Sequence, residues 1–175
     1  MQLLYVIGTG VLAAFCVLLA VRICYQRRYI RTSDRINDCI FRNVAAYLLL
    51  IDPDFNVLQT NYRSATGTAP QAVPPKVGNL LRCRNGEDAG VCGTHELCAD
   101  CPDRAAITGV FRTKKGFSGL EVPMVLYTSD DHTETVDCDV SVAGNFLTVA
   151  GQPRVVLTVS DISAQKRTQR ELEKA

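Results

Sequence analysis

Hydrophobic residues dominate the beginning of the chain. Residues 1–21 contain no charged side chain. A helix of that length would be about 32 Å long at roughly 1.5 Å per residue, which matches the hydrocarbon thickness of a bilayer. A cleaved signal peptide would carry its positive residues before a shorter apolar stretch, whereas here they follow it. The pattern predicts an uncleaved transmembrane helix over residues 1–24.

Arginines after this segment predict its orientation. No Lys or Arg precedes the segment, and five arginines follow it, with no acidic residue before Asp34: Arg22, Arg27, Arg28, Arg31 and Arg35. Positively charged loops remain on the cytoplasmic side of a membrane. We therefore expect a single-pass protein of the inner (cytoplasmic) membrane with its soluble domain in the cytoplasm, which is a reducing compartment.

Helical periodicity continues beyond the arginines. Ile36, Ile40 and Val44 recur every four residues among polar side chains, which predicts a juxtamembrane or signalling helix over residues 25–45. Its apolar face packs on its own domain or forms a dimeric coiled coil, and fewer than three heptads leave both interpretations open.

The soluble part then shows strand patterns at both ends. An apolar run at residues 47–52, the Pro53-Asp54 turn and a loosely alternating stretch at residues 55–61 predict a hairpin. Residues 62–113 have no sustained period-two pattern and predict only short helices. Three further strands are predicted over residues 121–128, 133–142 and 154–162. Cys138 falls on the apolar side of the second of these and is interpreted as core packing.

The chain ends in a charged stretch of helix formers. Asp161 or Ser163 can cap its first turn, so residues 163–175 predict the start of an output helix. Its low apolar content makes it unstable alone, which favours a partner chain or a continuation in a longer protein. We expect a homodimer formed through the juxtamembrane and exit helices.

The net charge and the absence of common catalytic motifs from the sequence argue against several functions. The net charge is +1 with both signs interspersed beyond residue 36, so a nucleic-acid partner is not expected. No serine–histidine or paired-carboxylate catalytic motif is present, and no enzyme activity is expected. The sequence has two histidines, His95 and His132, which are interpreted as a loop residue and a turn residue.

Four of the eight cysteines lie within nineteen residues: Cys83, Cys92, Cys98 and Cys101. Their spacing, C-x8-C-x5-C-x2-C, lets thiolates converge on one metal ion, and glycines beside Cys92 permit tight turns. Disulfides are disfavoured in a reducing compartment. Zinc is the favoured ligand and would be structural, whereas a [4Fe-4S] cluster would make the domain a redox sensor. A thiol switch and four unliganded cysteines stay open as alternatives.

Several local motifs, taken in order, resemble the PAS family of sensor domains over residues 36–175. Asp161-Ile162-Ser163 resembles the Asp-Ile-Thr element that precedes many PAS output helices, and residues 48–52 resemble the first PAS strand. Residues 78–101 are similar to a cysteine-bearing subset found in membrane-bound histidine kinases. The resemblance implies an α+β fold for residues 46–162: a five-stranded antiparallel sheet with short helices on one face, followed by the exit helix.

The function expected from this resemblance is signal relay. The chain would be a membrane-anchored cytoplasmic sensor module that passes a ligand, redox or metal-dependent signal to a kinase-type output domain in cis or in trans. One alternative is a membrane-tethered structural or adaptor protein whose domain is stabilised by a structural zinc ion. Another is a thiol oxidoreductase that uses Cys98 and Cys101, although the flanking pattern does not match a βαβ frame.

Overall fold

The computed structural model describes residues 46–62 and 73–173, together with residues 18, 22, 23 and 25. The chain divides into two compact units, Met1–Asn43 and Val44–Ala175, and the architecture below is that of the second. Apart from Tyr25, the predicted juxtamembrane helix lies outside the described residues.

The predicted transmembrane helix over residues 1–24 requires a correction of the fold class. Among the described residues, no helix is long and apolar enough to cross a membrane. Only Leu18, Arg22 and Ile23 of the predicted segment are described, whereas a span needs a continuous run of about twenty residues. The fold class is therefore corrected to the α+β architecture of the described residues.

A five-stranded antiparallel sheet forms the centre of that architecture. Its strands are β1 Tyr47–Ile51, β2 Val57–Thr60, β3 Phe117–Tyr127, β4 Thr135–Val149 and β5 Gln152–Asp161. The strand order is β2-β1-β5-β4-β3, and every pairing is antiparallel. The described part of the chain thus agrees with the predicted five-stranded sheet.

Turn chemistry explains two of the hairpins, β1–β2 and β4–β5. In the first, the Asp52 carboxylate accepts hydrogen bonds from the backbone N–H groups of Asp54 and Asn56 at 3.0 and 2.9 Å, which is an Asx-type turn. In the β4–β5 hairpin, Ala150 and Gly151 have φ values of 49° and 77°. Positive φ at both central residues matches the twist of the flanking strands.

The core lies on one face of the sheet, as strand alternation requires. Val155, Leu157 and Val159 of β5 are at most 3% exposed, and each such side chain contributes roughly 1.5–3 kcal/mol when fully buried. They belong to one cluster with the buried residues of the neighbouring strands and with Ile107 and Val110 of a long helix. The central strand β5 therefore organises the core.

The described helices are α1 Val77–Leu80, α2 Arg84–Asp88, α3 Pro102–Thr113 and α4 Ser163–Glu173, with a 3₁₀ turn at Glu96–Cys98. α3 is longer than the sequence predicted for this region. Pro102 occupies its first turn and Lys114 ends it in the left-handed conformation at φ 59°, because proline suits a helix start and a left-handed residue terminates the helix.

Candidate functional site

A cavity of about 250 Å³ lies against the inner face of the sheet. Its apolar wall is built by alternating residues of adjacent strands, including Met124 on β3, Val140 on β4 and Val159 on β5. Leu81, directly after α1, contributes from the helical side. Pockets that bind small molecules share this composition of a largely apolar wall with a few polar groups.

The polar part of the cavity wall comes from the end of β5 and the first turns of α4. Asp161, Ser163 and Arg167 all line it. The Asp161 carboxylate accepts a hydrogen bond from the Ser163 N–H at 2.8 Å. The Ser163 hydroxyl, followed by this N–H and by the charge of Arg167, lowers the pKa of Asp161. The residues that begin the exit helix are therefore also residues of the cavity.

Two tyrosines close another side of the cavity. The Tyr47 and Tyr62 rings meet edge to face with centroids 4.8 Å apart, an arrangement that aromatic pairs favour. Burial, followed by the charge of Tyr47, raises the pKa of Tyr62. Cys138 also lines the cavity, and its partial packing against the core agrees with its predicted place on the inner face of β4.

Polar contacts attach α4 to the sheet. None of its residues is buried. The backbone N–H of Asp139 on β4 donates to Ser163 Oγ at 3.0 Å, and the Asp139 carbonyl accepts from the Ile162 N–H at 2.9 Å. The Asp139 carboxylate also pairs with Lys166 at 3.3 Å and with Arg170 at 3.4 Å. The Arg170 side chain is 61% exposed, so its ion pair is individually weak, whereas the side chains of Asp139 and Lys166 are only 19% and 24% exposed.

The segment of residues 83–101, termed the cysteine segment below, lies beside α1. A Cβ atom added at Gly78 would lie 2.7 Å from the Cys92 sulfur and 3.6 Å from Cys83 Cβ. Cys92 and Cys83 are therefore packed around the same glycine. Gly90 and Gly93, on either side of Cys92, have φ values of 77° and 104°, which confirms the tight turns that these glycines predicted.

The other two predicted ligands follow in the same segment. Cys98 is buried at the end of the 3₁₀ turn, and Cys101 precedes α3. Burial raises the pKa values of the Cys92 and Cys101 thiols, and the charge of Cys98 raises both further. The charge of Cys83 also raises the pKa of Cys92.

These electrostatic effects between cysteines do not by themselves define a metal site. Within residues 46–62 and 73–173, no group of three or more His, Cys, Asp or Glu side chains is arranged to hold a metal ion. Closed zinc and [4Fe-4S] sites both require four converging thiolates. Zinc or iron–sulfur binding by Cys83, Cys92, Cys98 and Cys101 stays a prediction from the sequence.

A hydrogen-bond chain that the sequence did not reveal connects this segment to the β3–β4 turn. The Cys92 N–H donates to Asn79 Oδ1 at 2.7 Å, and the Asn79 amide donates to Glu87 Oε1 at 3.0 Å. Glu87 lies 3.3 Å from His132 Nε2, and His132 stacks on Tyr127 with centroids 4.6 Å apart. The sequence places His132 only in a turn, because a partner such as Glu87, about 45 residues away, leaves no local pattern.

His95 also has a defined structural contact. Its Nδ1 accepts a hydrogen bond from the Leu97 N–H at 3.1 Å, which caps the 3₁₀ turn. A side chain that accepts from a backbone N–H at this position satisfies a donor left free by the turn. Its contact agrees with the interpretation of His95 as a loop residue.

Comparisons with known proteins give fold likeness alone. No family model matches the chain, and no curated protein matches it. A solved structure of an RNA-binding light-oxygen-voltage receptor has a TM-score of 0.50 and 12% identity, and the match covers 81% of this chain and 36% of that one.

Two solved PAS domains match over nearly their whole lengths. The PAS domain of nitrogen regulation protein NR(II) from Vibrio parahaemolyticus is 12% identical with a TM-score of 0.48, covering 71% of this chain and 95% of that one. A PAS domain from Colwellia psychrerythraea is 10% identical with a TM-score of 0.48, covering 74% and 97%. TM-scores below 0.5 at such low identities carry no argument about ligand or activity, and the resemblance to PAS domains stays a prediction.

Proposed function

We propose that this domain is a PAS-like sensor module that binds a small, largely apolar molecule in the cavity and relays its presence through α4. The observation that carries the proposal is the shared wall: Val140 and Val159 of the sheet and Ser163 and Arg167 of α4 line one cavity. An occupant would contact the rigid core and the exit helix together. Binding can therefore shift the position of α4 through differential contacts.

The size and lining of the cavity define the class of ligand. A volume of about 250 Å³ is below the usual range of roughly 300–1,000 Å³ for drug-sized ligands. It suits a compact molecule such as a substituted benzene or a short-chain acid. Arg167 and Ser163 offer a cation and a hydroxyl to a polar end, while Met124 and Val140 contact the apolar body.

The way α4 is attached supports its role as the output element. Because it buries no residue, a small change in contacts at Asp139 or Arg167 is sufficient to release it. A kinase-type output domain in cis or in trans is the proposed recipient of the signal. Homodimerisation through α4 stays a prediction.

Hydrogen–deuterium exchange with the full chain tests both halves of the proposal. Phenol, indole, benzoate and hexanoate serve as probes at millimolar concentration. At least one probe is expected to slow exchange in β4 and β5 and to change exchange in α4. If no probe slows exchange in β4 and β5, the proposed ligand site is contradicted. If a probe protects these strands without changing exchange in α4, the proposed relay is contradicted.

Two matched variants locate the effect. Cys138→Phe places a ring in the cavity and is expected to abolish the response to every probe. Leu58→Phe makes a similar addition at a β2 side chain that is 44% exposed and does not line the cavity, and it should retain the wild-type response.

A thiol oxidoreductase finds less support. Burial raises the pKa values of the Cys92 and Cys101 thiols, whereas catalytic cysteines are usually stabilised as thiolates at neutral pH. The absence of turnover in a thiol-exchange assay would be consistent with this assessment.

A further inference from the structure

The cavity reaches solvent beside the turn between β3 and β4. Val136, the second residue of β4, lines the cavity and is 45% exposed. Leu126 pairs with it from β3, Leu81 follows α1, and both also line the cavity. Residues 128–134, termed the hairpin tip below, join the two strands. A molecule that enters beside Val136 therefore passes the hairpin tip.

Side chains hold the hairpin tip against the helical side of the domain. Asp130 Oδ1 lies 2.9 Å from Arg82 Nη1, and His132 Nε2 lies 3.3 Å from Glu87 Oε2. Arg82 also donates a hydrogen bond to the Ser129 carbonyl. Arg82 lies between α1 and α2, and Glu87 lies within α2. The tip is therefore attached to the segment that directly follows the helical wall of the cavity.

Tyr127, the last residue of β3, positions the His132 ring. The two rings stack with centroids 4.6 Å apart, and the Tyr127 hydroxyl donates to Asp88 Oδ1 at 2.6 Å. The Tyr127 N–H also donates to the Arg82 carbonyl at 2.9 Å. Backbone pairing thus fixes this end of the hairpin tip, while side chains hold the residues beyond it.

We infer that the hairpin tip is a gate of the cavity, which pivots at Tyr127 and is latched by the contact between His132 and Glu87. The inference rests on the proposed function, since a gate requires a molecule that enters the cavity. The Asp130 side chain is fully exposed and that of His132 is 41% exposed, and polar contacts of such groups are individually weak. The latch can therefore open while the buried core stays folded.

The latch sets how fast molecules enter and leave the cavity. When it opens, the hairpin tip and Val136 move away from α2, and the cavity becomes accessible to solvent. When it closes, Val136 and Leu126 again complete the wall that includes Leu81. Closure of a loop over a bound molecule separates that molecule from water in the same way. Selectivity stays with the side chains that line the cavity.

Alkylation of Cys138 measures opening of the gate without any ligand. Cys138 lines the cavity and is the single cysteine of the tryptic peptide 116–154, so mass spectrometry follows its reaction with iodoacetamide in the full chain. His132→Asn removes the latch, and asparagine tolerates the left-handed backbone at this position, where φ is 56°. It should accelerate alkylation roughly 1.5- to 5-fold, the factor that corresponds to one weak polar contact. Tyr127→Phe, which loses only the hydroxyl, should act in the same direction.

Glu134→Gln is the matched control, because it changes an exposed side chain of the hairpin tip and leaves the latch intact. It should react at the wild-type rate. A wild-type rate in His132→Asn would overturn the inference. An equal rise in hydrogen exchange throughout β5 would also overturn it, since the whole domain would then have loosened. The alkylation needs no ligand, so failure of the gate and failure of every probe to bind are distinguishable results.

Discussion

Substitution of Gly78 by alanine probes the packing on which the cysteine segment depends. In an ordinary helix interior, Gly→Ala stabilises by about 1 kcal/mol. At Gly78 the new methyl group would lie 2.7 Å from the Cys92 sulfur and 3.1 Å from Cys92 Cβ. Overpacking of this kind costs roughly 1–3 kcal/mol. Because α1 has only four residues, the gain in helix propensity is small, and the net effect should be a loss of about 1–2 kcal/mol.

Gly109→Ala is the matched control. Gly109 lies within α3, and an added Cβ there would meet nothing within 4 Å. It should therefore show the ordinary stabilisation of about 0.5–1 kcal/mol. Urea unfolding of the full chain, fitted with a common slope, measures both variants. The reasoning fails if Gly78→Ala is as stable as Gly109→Ala, because Cys92 would then not pack on Gly78.

Three further predictions test other parts of the structure. Asp139→Asn should accelerate hydrogen exchange throughout α4, while Glu171→Gln, which removes a carboxylate from α4 without touching Asp139, should not. Burial raises the pKa of Asp103 to about 6. Because the unfolded chain ionises this carboxyl at a lower pH, the free energy of unfolding should fall as pH rises from about 4 through 6. Asp103→Asn should lack this pH dependence and unfold at higher urea than wild type at pH 8. Leu157→Ala should cost roughly 2–5 kcal/mol because Leu157 is fully buried, whereas Leu172→Ala, 74% exposed, should cost almost nothing.

Local patterns in the sequence were sufficient for much of the fold. The alternation around Cys138, Val140 and Val142 correctly predicted a strand with one face toward the core, since Val140 and Val142 are buried. The Asp161 carboxylate accepts a hydrogen bond from the Ser163 N–H where α4 begins. These features depend on contacts between residues a few positions apart, so residue order contains the necessary information. The length of α3 was underestimated even though Pro102 marks its start.

The candidate site shows where local information ends. The sequence predicted one metal site at Cys83, Cys92, Cys98 and Cys101, which stays a prediction; the structure packs Cys83 and Cys92 around Gly78. Whether their sulfur atoms converge on a metal ion depends on the directions of the side chains, which the spacing of cysteines along the chain does not specify. The opposition of Cys92 to Gly78 likewise arises from a fold that brings α1 against the cysteine segment.

The sequence by itself therefore indicated the strands, the β1–β2 turn, the charged C-terminal helix and the resemblance to a sensor family. Only the tertiary structure decided that a cavity exists and that Val140, Val159 and Arg167 share its wall. It also decided that α4 is attached by Asp139 without burying a side chain. The physical reason is range: periodicity and capping act within a few residues, whereas a cavity and a docked helix depend on strands and helices that only the folded chain brings together.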